Sequence, residues 1–257
     1  YAFRTRYAVV ITANAAGGTH KYQKIVKFKN LAQLGQLVSP HSYRILKKDC
    51  LDLPDKVYTR REVELTDEQQ LAYQDMKANA MTFLKGESLT AVNVLTQLLR
   101  LHQITCGHMK TDSGETLNLK NNRLDELMQI LGETTGKVII WANYIHDILN
   151  IESAIKKEYG EDSYCTYYGA TKAEDRQQCI YDFQNSENSC RFFIGNTQTG
   201  GYGITLTAAS TVIYYSNNYD LEKRLQSEDR AHRIGQKNSV LYIDMVAKGT
   251  VDDKIIK

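Results

Sequence analysis

From Asn121 to the end of the chain, short apolar runs alternate with longer amphipathic stretches, and this alternation constrains the fold more than any other feature. The runs are Lys137-Val-Ile-Ile-Trp-Ala142, Tyr164–Tyr168, Arg191-Phe-Phe-Ile-Gly195, Thr211-Val-Ile-Tyr-Tyr215 and Val240–Val246. Helical spacing fills the intervals over Arg123–Leu131, Ile145–Tyr159, Ala173–Phe183 and Leu221–Arg233, and another helix begins at Val251. Strands separated by helices predict an α/β fold: a parallel sheet with right-handed crossovers and helices on both faces. Ligands in such sheets bind beyond the carboxyl ends of the strands. The loop Asn196–Gly203 and the helix Leu221–Arg233 both follow strands and are expected to meet at one rim.

Upstream the pattern differs. Tyr7–Ile11 and Gln23–Phe28 are β-rich and flank turn residues Asn14–Thr19, which predicts a hairpin with Lys24 and Lys27 beside its apolar positions. Leu31–Val38 has helical spacing and stops at Ser39-Pro40. Leu51–Asp55 reads as a linker and Val57–Leu65 as an alternating strand. Thr66 and Gln69 form a capping box that opens a helix to about Leu84. Val92–Thr105 is a second helix, and Cys106–Gly114 reads as a loop.

Charge is uneven. The 257 residues carry a net +2, yet residues 1–61 hold twelve Lys/Arg against three Asp, a net +9 that leaves −7 for the remainder. A basic segment of this kind fits a polyanion partner or a solvated surface. No apolar run approaches the roughly 18 residues of a membrane span, and no apolar signal core follows Arg4 and Arg6. The five cysteines (Cys50, Cys106, Cys165, Cys179, Cys190) form no Cys-x-x-Cys pair and are expected as free thiols in a reducing, intracellular compartment. The chain opens on Tyr1 rather than Met and is expected to be part of something longer.

Within Gln226-Ser-Glu-Asp-Arg-Ala-His-Arg-Ile-Gly-Gln236, helical spacing aligns Gln226, Arg230 and Arg233 in one row. Guanidinium forks suit phosphate oxygens. Salt bridges to Glu228 or Asp229 fit the same spacing. Gly200, Gly201 and Gly203 allow a backbone to approach phosphate or sugar, or serve a turn that needs positive φ; Thr197 and Thr199 add hydroxyls. His102, Cys106 and His108 lack a fourth ligand and match no standard zinc spacing, so no metal is expected and His102 is read as packing at a helix end. Trp141 is read as core. Tyr167, Tyr168 and Tyr219 are surface anchors or base-stacking rings. No Gly-x-x-x-x-Gly-Lys-Ser/Thr occurs, nor any strand ending in paired acids for Mg²⁺. The arginine row therefore reads as half of a nucleotide site.

Taken with their order, these segments resemble the Swi/Snf-type DNA-translocating ATPases of helicase superfamily two. Gln226-x-x-Asp-Arg-Ala-His-Arg-Ile-Gly-Gln236 resembles motif VI, Asn196–Leu206 motif V, and Lys137–Asn143 motif IV. Tyr168-Gly-Ala-Thr171 through Arg176 resembles the motif that follows it. Tyr43–Pro54 resembles the end of the family's first lobe, and Leu98–His108 its Leu-Arg-x-x-Cys-x-His helix end. The resemblance implies a C-terminal RecA-like lobe over 121–257, a helical segment over 65–120, and the tail of the first motor lobe with a linker, basic hairpin and brace over 1–64. It implies ATP bound between two lobes, with Mg²⁺ held by the first lobe of the same chain. Arg230 and Arg233 would be arginine fingers and Gln226 would sit near the γ-phosphate. Gly201 and Gly203 would line the nucleotide side, and Thr197, Gly169 and Thr171 the backbone of double-stranded DNA. Without its first lobe the chain is expected to hydrolyse no ATP.

Two departures stand out. Gln198 replaces the family's motif V arginine, and Ser216-Asn-Asn218-Tyr219-Asp-Leu replaces an acidic, Trp-containing loop. Two other readings stay open: a RecA-like module that binds nucleic acid without hydrolysis, and a strand-separating helicase. A bacterial or phage-infected cytoplasm and a nucleus are both compatible locations.

Overall fold

The computed structural model describes residues 2–14, 21–43, 45, 50–86, 91–111, 114–201 and 203–256, with backbone alone at 14, 79–86 and 91–93. Most of the Asn14–Thr19 turn, Arg44 and Lys47 of the Tyr43–Pro54 stretch, and Tyr202 lie outside the described residues. The chain divides into two compact units, residues 1–51 with 80–95 and residues 52–79 with 96–257.

The first unit contains α1 (Ala2–Tyr7), β1 (Ala8–Asn14), β2 (Lys21–Phe28) and α2 (Leu31–Val38). The expected hairpin is present as the antiparallel pair β1–β2, with a register shift between Val9 and Val10. Tyr7, expected in the strand, instead ends α1. Its carbonyl accepts from Lys29 N at 2.9 Å, which closes the base of the hairpin.

The second unit follows as β3 (Lys56–Val63), α3 (Asp67–Gly86), α4 (Ala91–Thr105), β4 (His108–Lys110), β5 (Thr116–Asn118), α5 (Arg123–Glu133) and β6 (Lys137–Trp141). It continues with α6 (Ile145–Tyr159), β7 (Tyr164–Tyr167), α7 (Ala173–Gln184), β8 (Phe192–Gly195), α8 (Thr197–Gly200), β9 (Ala209–Tyr214), α9 (Leu221–Ala231), β10 (Val240–Ala247) and α10 (Asp252–Ile256). The outer ends of α3 and α4 group with the first unit. Six strands form one sheet in the order β3-β10-β9-β6-β8-β7. Every pairing in it is parallel. The edge strand β3 lay within the expected 1–64 segment, yet it pairs along its whole length with β10.

The two-residue period of a strand explains the layers. Val138 and Ile140 of β6 point to one face and pack with Leu127 of α5 and Ile148 and Ile151 of α6. Ile139 and Trp141 point to the other face and pack with Phe183 of α7 and Ala231 of α9. All four β6 side chains have no exposure. That is why the strand reads as a continuous apolar run rather than an alternating one. At about 1.5–3 kcal/mol for each fully buried large aliphatic side chain, such runs supply much of the stability of the sheet.

The capping box forms as expected. Thr66 N donates to Gln69 Oε1 at 3.1 Å, and Gln69 N donates to Thr66 Oγ1 at 3.3 Å. Three sequence expectations are corrected. Part of the Cys106–Gly114 loop is β4, paired antiparallel with β5, because three-residue strands are too short to leave an alternating pattern. The Asn196–Gly203 loop contains the single turn α8, whose second amide, Gln198 N, is capped by Asn196 Oδ1 at 2.7 Å. Cys165 and Cys179 are joined as a disulfide rather than standing as free thiols, whereas Cys50, Cys106 and Cys190 are free. Helix α7 packs back on β7 and brings the two Cα atoms to 5.4 Å, a proximity that a fourteen-residue spacing does not reveal.

Candidate functional site

Helix α9 is capped at its start by Asp220, whose Oδ1 accepts from Lys223 N at 3.2 Å. It ends two residues earlier than its periodicity suggests. His232 leaves the helical region at ψ 79°, so Arg233 lies beyond the helix. Gln236 fixes the turn that follows, with Nε2 donating to Ala231 O, Thr207 O and Ala209 O at 3.0–3.2 Å. Gly235 takes φ 99° there, a left-handed conformation that suits glycine. The expected helical row therefore holds for Gln226 and Arg230 but not for Arg233.

The two guanidiniums converge even so. Arg230 Nη1 and Arg233 Nη1 donate to the same carbonyl, Ile204 O, at 3.3 and 3.4 Å. Arg230 Nε also donates to Gln226 O at 2.9 Å. Neither arginine is ion-paired among the described residues. The salt-bridge alternative is not realised among the described residues: Asp229 Oδ1 lies 3.6 Å from Lys56 Nζ, and Glu228 is bound there too. It accepts from Lys56 Nζ at 2.9 Å, Tyr58 OH at 2.7 Å and Arg224 Nε at 2.9 Å. Burial, then the nearby Arg233 charge, pushes the Arg230 guanidinium below its ordinary pKa. Two like charges aimed at one point with no carboxylate between them favour an anion. Gln226 Nε2 donates to Glu222 Oε1 at 2.9 Å, while its buried Oε1 has no partner among the described residues.

The meeting place differs from the expected carboxyl rim. Strands β8 and β9 run the same way, so the chain between them must return to the start of the sheet. Ile204 lies on that return, and Leu206 N donates to Arg230 O at 2.9 Å. Gly203, at φ 72°, immediately precedes Ile204. Helix α8 lies against α9. Gly201 follows α8, and a Cβ there would run into the Thr197 carbonyl. Gly201 and Gly203 thus stand in the segment that the arginines touch.

Thr197, Gly169 and Thr171 lie just beyond β8 and β7. Thr197 is buried as the first residue of α8. Asn196 ties that turn to β6, donating from Nδ2 to Ala142 O at 3.1 Å and Asn143 O at 2.8 Å. The Thr171 hydroxyl is committed within its own loop, accepting from Tyr168 N at 3.1 Å and donating to Thr166 O at 3.3 Å. Arg176 Nη2 braces the same loop through Tyr168 O and Gly169 O at 3.0 and 3.1 Å. Tyr167 is core rather than a stacking platform: it is buried, with its ring on Phe193 at 5.5 Å between centroids. Tyr219 is exposed. Among the described residues no group of three His, Cys, Asp or Glu is arranged to hold a metal ion. His102 is instead buried, with Nδ1 2.8 Å from Tyr144 OH.

Two arginines that the sequence reading did not single out form the strongest polar networks. Arg224 pairs with Asp244 and Glu228, donates to Asn217 Oδ1 at 2.7 Å, and stacks 3.5 Å over the Tyr214 ring. Asn217 thereby acquires a structural role in the loop that departs from the family pattern. A cleft of about 660 Å³ opens beside this network, lined by Tyr58, Asn217, Tyr219, Leu221 and Leu225. It borders a different face of α9 from the one that carries Arg230. Arg123, fully buried, donates to Thr105 O at 3.1 Å, to Tyr215 O and to Met245 O, and is paired with Asp252.

Residues 119–235 match the helicase conserved C-terminal domain. Over 96% of its length the chain is 31% identical to the CHD3-type chromatin-remodeling factor CHR7 of Arabidopsis thaliana, covering 22% of that protein. It is 31% identical over 88% of its length to the putative ATP-dependent helicase/translocase YwqA of Bacillus subtilis, covering 26%. The chain therefore spans about a quarter of the length of these relatives. Among solved structures, the Sulfolobus solfataricus SWI2/SNF2 ATPase core in complex with dsDNA aligns at a TM-score of 0.64 and 28% identity, over 88% of this chain and 48% of that one. The C-terminal part of the Fun30 ATPase domain aligns at 0.62 over 80% of this chain and 89% of that one, a likeness of fold at 19% identity. The motifs, the six-stranded parallel sheet and these similarities agree: the chain belongs to the Swi/Snf-type family of helicase superfamily two, as its C-terminal RecA-like lobe.

Proposed function

We propose that this lobe supplies half of the ATP site of a motor that moves along double-stranded DNA. The observation that carries the reading is the convergence of Arg230 and Arg233 on Ile204 O without a carboxylate partner. A pair of guanidiniums held this way is ready for an anion brought by a second surface, and phosphate oxygens match the fork geometry. The pair fits the terminal phosphates of ATP on this ground. The first motor lobe of the same chain would provide the phosphate loop and hold Mg²⁺.

When the lobes close, Arg230 and Arg233 act as arginine fingers on the charge that develops at the transferred phosphoryl. Gln226, through its unpartnered Oε1, orients a hydrogen-bond donor near the γ-phosphate. Gly201 and Gly203 let the backbone approach the nucleotide. The segments beyond β7 and β8, with Gly169, Thr171 and Thr197, follow the DNA backbone. Contacts to phosphate position a motor without reading sequence. Because the Thr171 hydroxyl already serves its loop, its part is to hold that loop in shape. The dsDNA in the Sulfolobus complex and the chromatin-remodeling relative support duplex DNA as the partner.

The test is Arg233→Ala in the complete protein. DNA-stimulated ATP turnover should fall by about 10³–10⁵, the range an arginine finger contributes. Arg233 is exposed and lies outside the helix, so the melting temperature should stay unchanged. Near-normal turnover in the folded variant would remove Arg233 from this role.

A further inference from the structure

The unit formed by residues 1–51 and 80–95 contains ten Lys/Arg and only two acids, a net +8 that leaves −6 for the rest of a chain of net +2. Neither acid, Asp49 or Glu87, is among the described residues. The hairpin turns this charge into a pattern. Lysines three apart on a regular strand point to opposite faces. Here the register shifts: Lys24 pairs with Ile11, Lys27 pairs with Val9, and Val26 takes up the extra residue as a bulge. Val9 and Ile11 share a face, so Lys24 and Lys27 share it too. Tyr22, opposite Ala13, continues the same line, whereas Lys21, opposite Asn14, lies on the other face. Every residue of β2 is exposed, and neither Lys24 nor Lys27 is ion-paired among the described residues.

We infer that the β1–β2 face carrying Lys27, Lys24 and Tyr22 is a docking surface for the phosphate backbone of duplex DNA. Their partners Val9, Ile11 and Ala13 follow one another at intervals of two residues, about 6.8 Å on an antiparallel strand. A DNA strand carries its phosphates at a regular repeat, which a row of evenly spaced donors can follow. Lysine is a point charge on a flexible stem and tolerates the remaining mismatch. A tyrosine hydroxyl also donates to phosphate oxygens. A ladder of this kind adds affinity without sequence preference, as a translocating motor requires. The inference rests on the duplex-DNA reading above but concerns a separate surface.

The test measures binding of the 257-residue chain to a DNA duplex of random sequence, by fluorescence anisotropy over a range of salt. Each phosphate contact contributes about 0.9 to the slope of log K against log salt. Lys24→Gln/Lys27→Gln should lower that slope by about 1.8, and Lys24→Arg/Lys27→Arg should preserve it. Lys21→Gln, on the opposite face, should leave it unchanged. An unchanged slope in the folded glutamine double variant overturns the inference while keeping the duplex-DNA reading. So does an equal loss from Lys21→Gln. If the double variant melts lower without a change in slope, the face braces protein rather than DNA and the inference also falls. If the unsubstituted chain binds duplex without salt dependence, both readings fall together.

Discussion

Arginine does two opposite jobs in this chain, and the difference lies in what surrounds each guanidinium. Arg123 is buried and surrounded by acceptors: three carbonyls and the Asp252 carboxylate. It joins α4, α5, the residue after β9, β10 and α10 at one point. Burial alone would raise the Asp252 carboxyl, but Arg123, His102 and the Ala247 amide reverse this and hold it below its usual range. Removing the cation would strand that carboxylate. Arg123→Met should therefore cost about 3–5 kcal/mol in urea denaturation, the scale for breaking a buried pair. Arg123→Lys should recover only part, because one ammonium cannot reach the same spread of acceptors. A loss below about 1 kcal/mol would mean the network is not what holds these elements together. Arg230 and Arg233, by contrast, share one carbonyl and are ion-paired to no carboxylate among the described residues.

At the scale of elements, the segment between β8 and β9 is shaped by the core behind it. Gly200 ends α8 directly against the Trp141 ring, and a Cβ there would stand 2.6 Å from it. Trp141 is itself fully buried and packs edge-on against Phe193. Neither ring can yield without moving a strand. Gly200→Ala should overpack the site and lower stability by about 1–3 kcal/mol, visible as a fall in melting temperature. Wild-type stability in that variant would show that α8 can shift away from β6. The sequence reading offered Gly200 as a phosphate approach or a turn residue, and the structure gives it a packing role instead. A glycine-rich motif does not say which of its glycines faces the ligand and which faces the core. Only the position of Trp141 separates them.

At the scale of the molecule, buried His102 and half-buried His146 make stability depend on acid. Burial lowers the His102 pKa, and Arg123 and His108 add to this against the opposing charges of Asp252 and Asp147. Burial, with His108, lowers His146 in the same direction. The unfolded chain gains these protons near pH 6.5, while the folded chain resists them. Stability is therefore full above that pH and falls as pH drops through it. The depressed Asp252 contributes stability that is present above about pH 3.9 and lost as pH falls through its lowered folded value. Both effects have the same sign. The urea midpoint should decline steadily below about pH 6.5, and His102→Gln should flatten the upper part of that decline. A midpoint constant from pH 8 to pH 5 would contradict this.

The sequence by itself determined the strands of the parallel sheet, the helices between them and the family. Apolar period and run length are local properties, so β6 could be read as doubly buried and Thr66-x-x-Gln69 as a helix start before any contact was known. The motif from Gln226 to Gln236 was legible for the same reason, since its residues are neighbours in the chain. The tertiary structure decided which distant residues meet. It placed β3 beside β10, Arg123 on Asp252, Glu228 on Lys56 rather than on the arginines, and Cys165 on Cys179. It also moved Arg233 off the helix and still brought it to the carbonyl that Arg230 reaches. These outcomes depend on how crossovers return the chain to the sheet, and periodicity within one segment carries no record of that path.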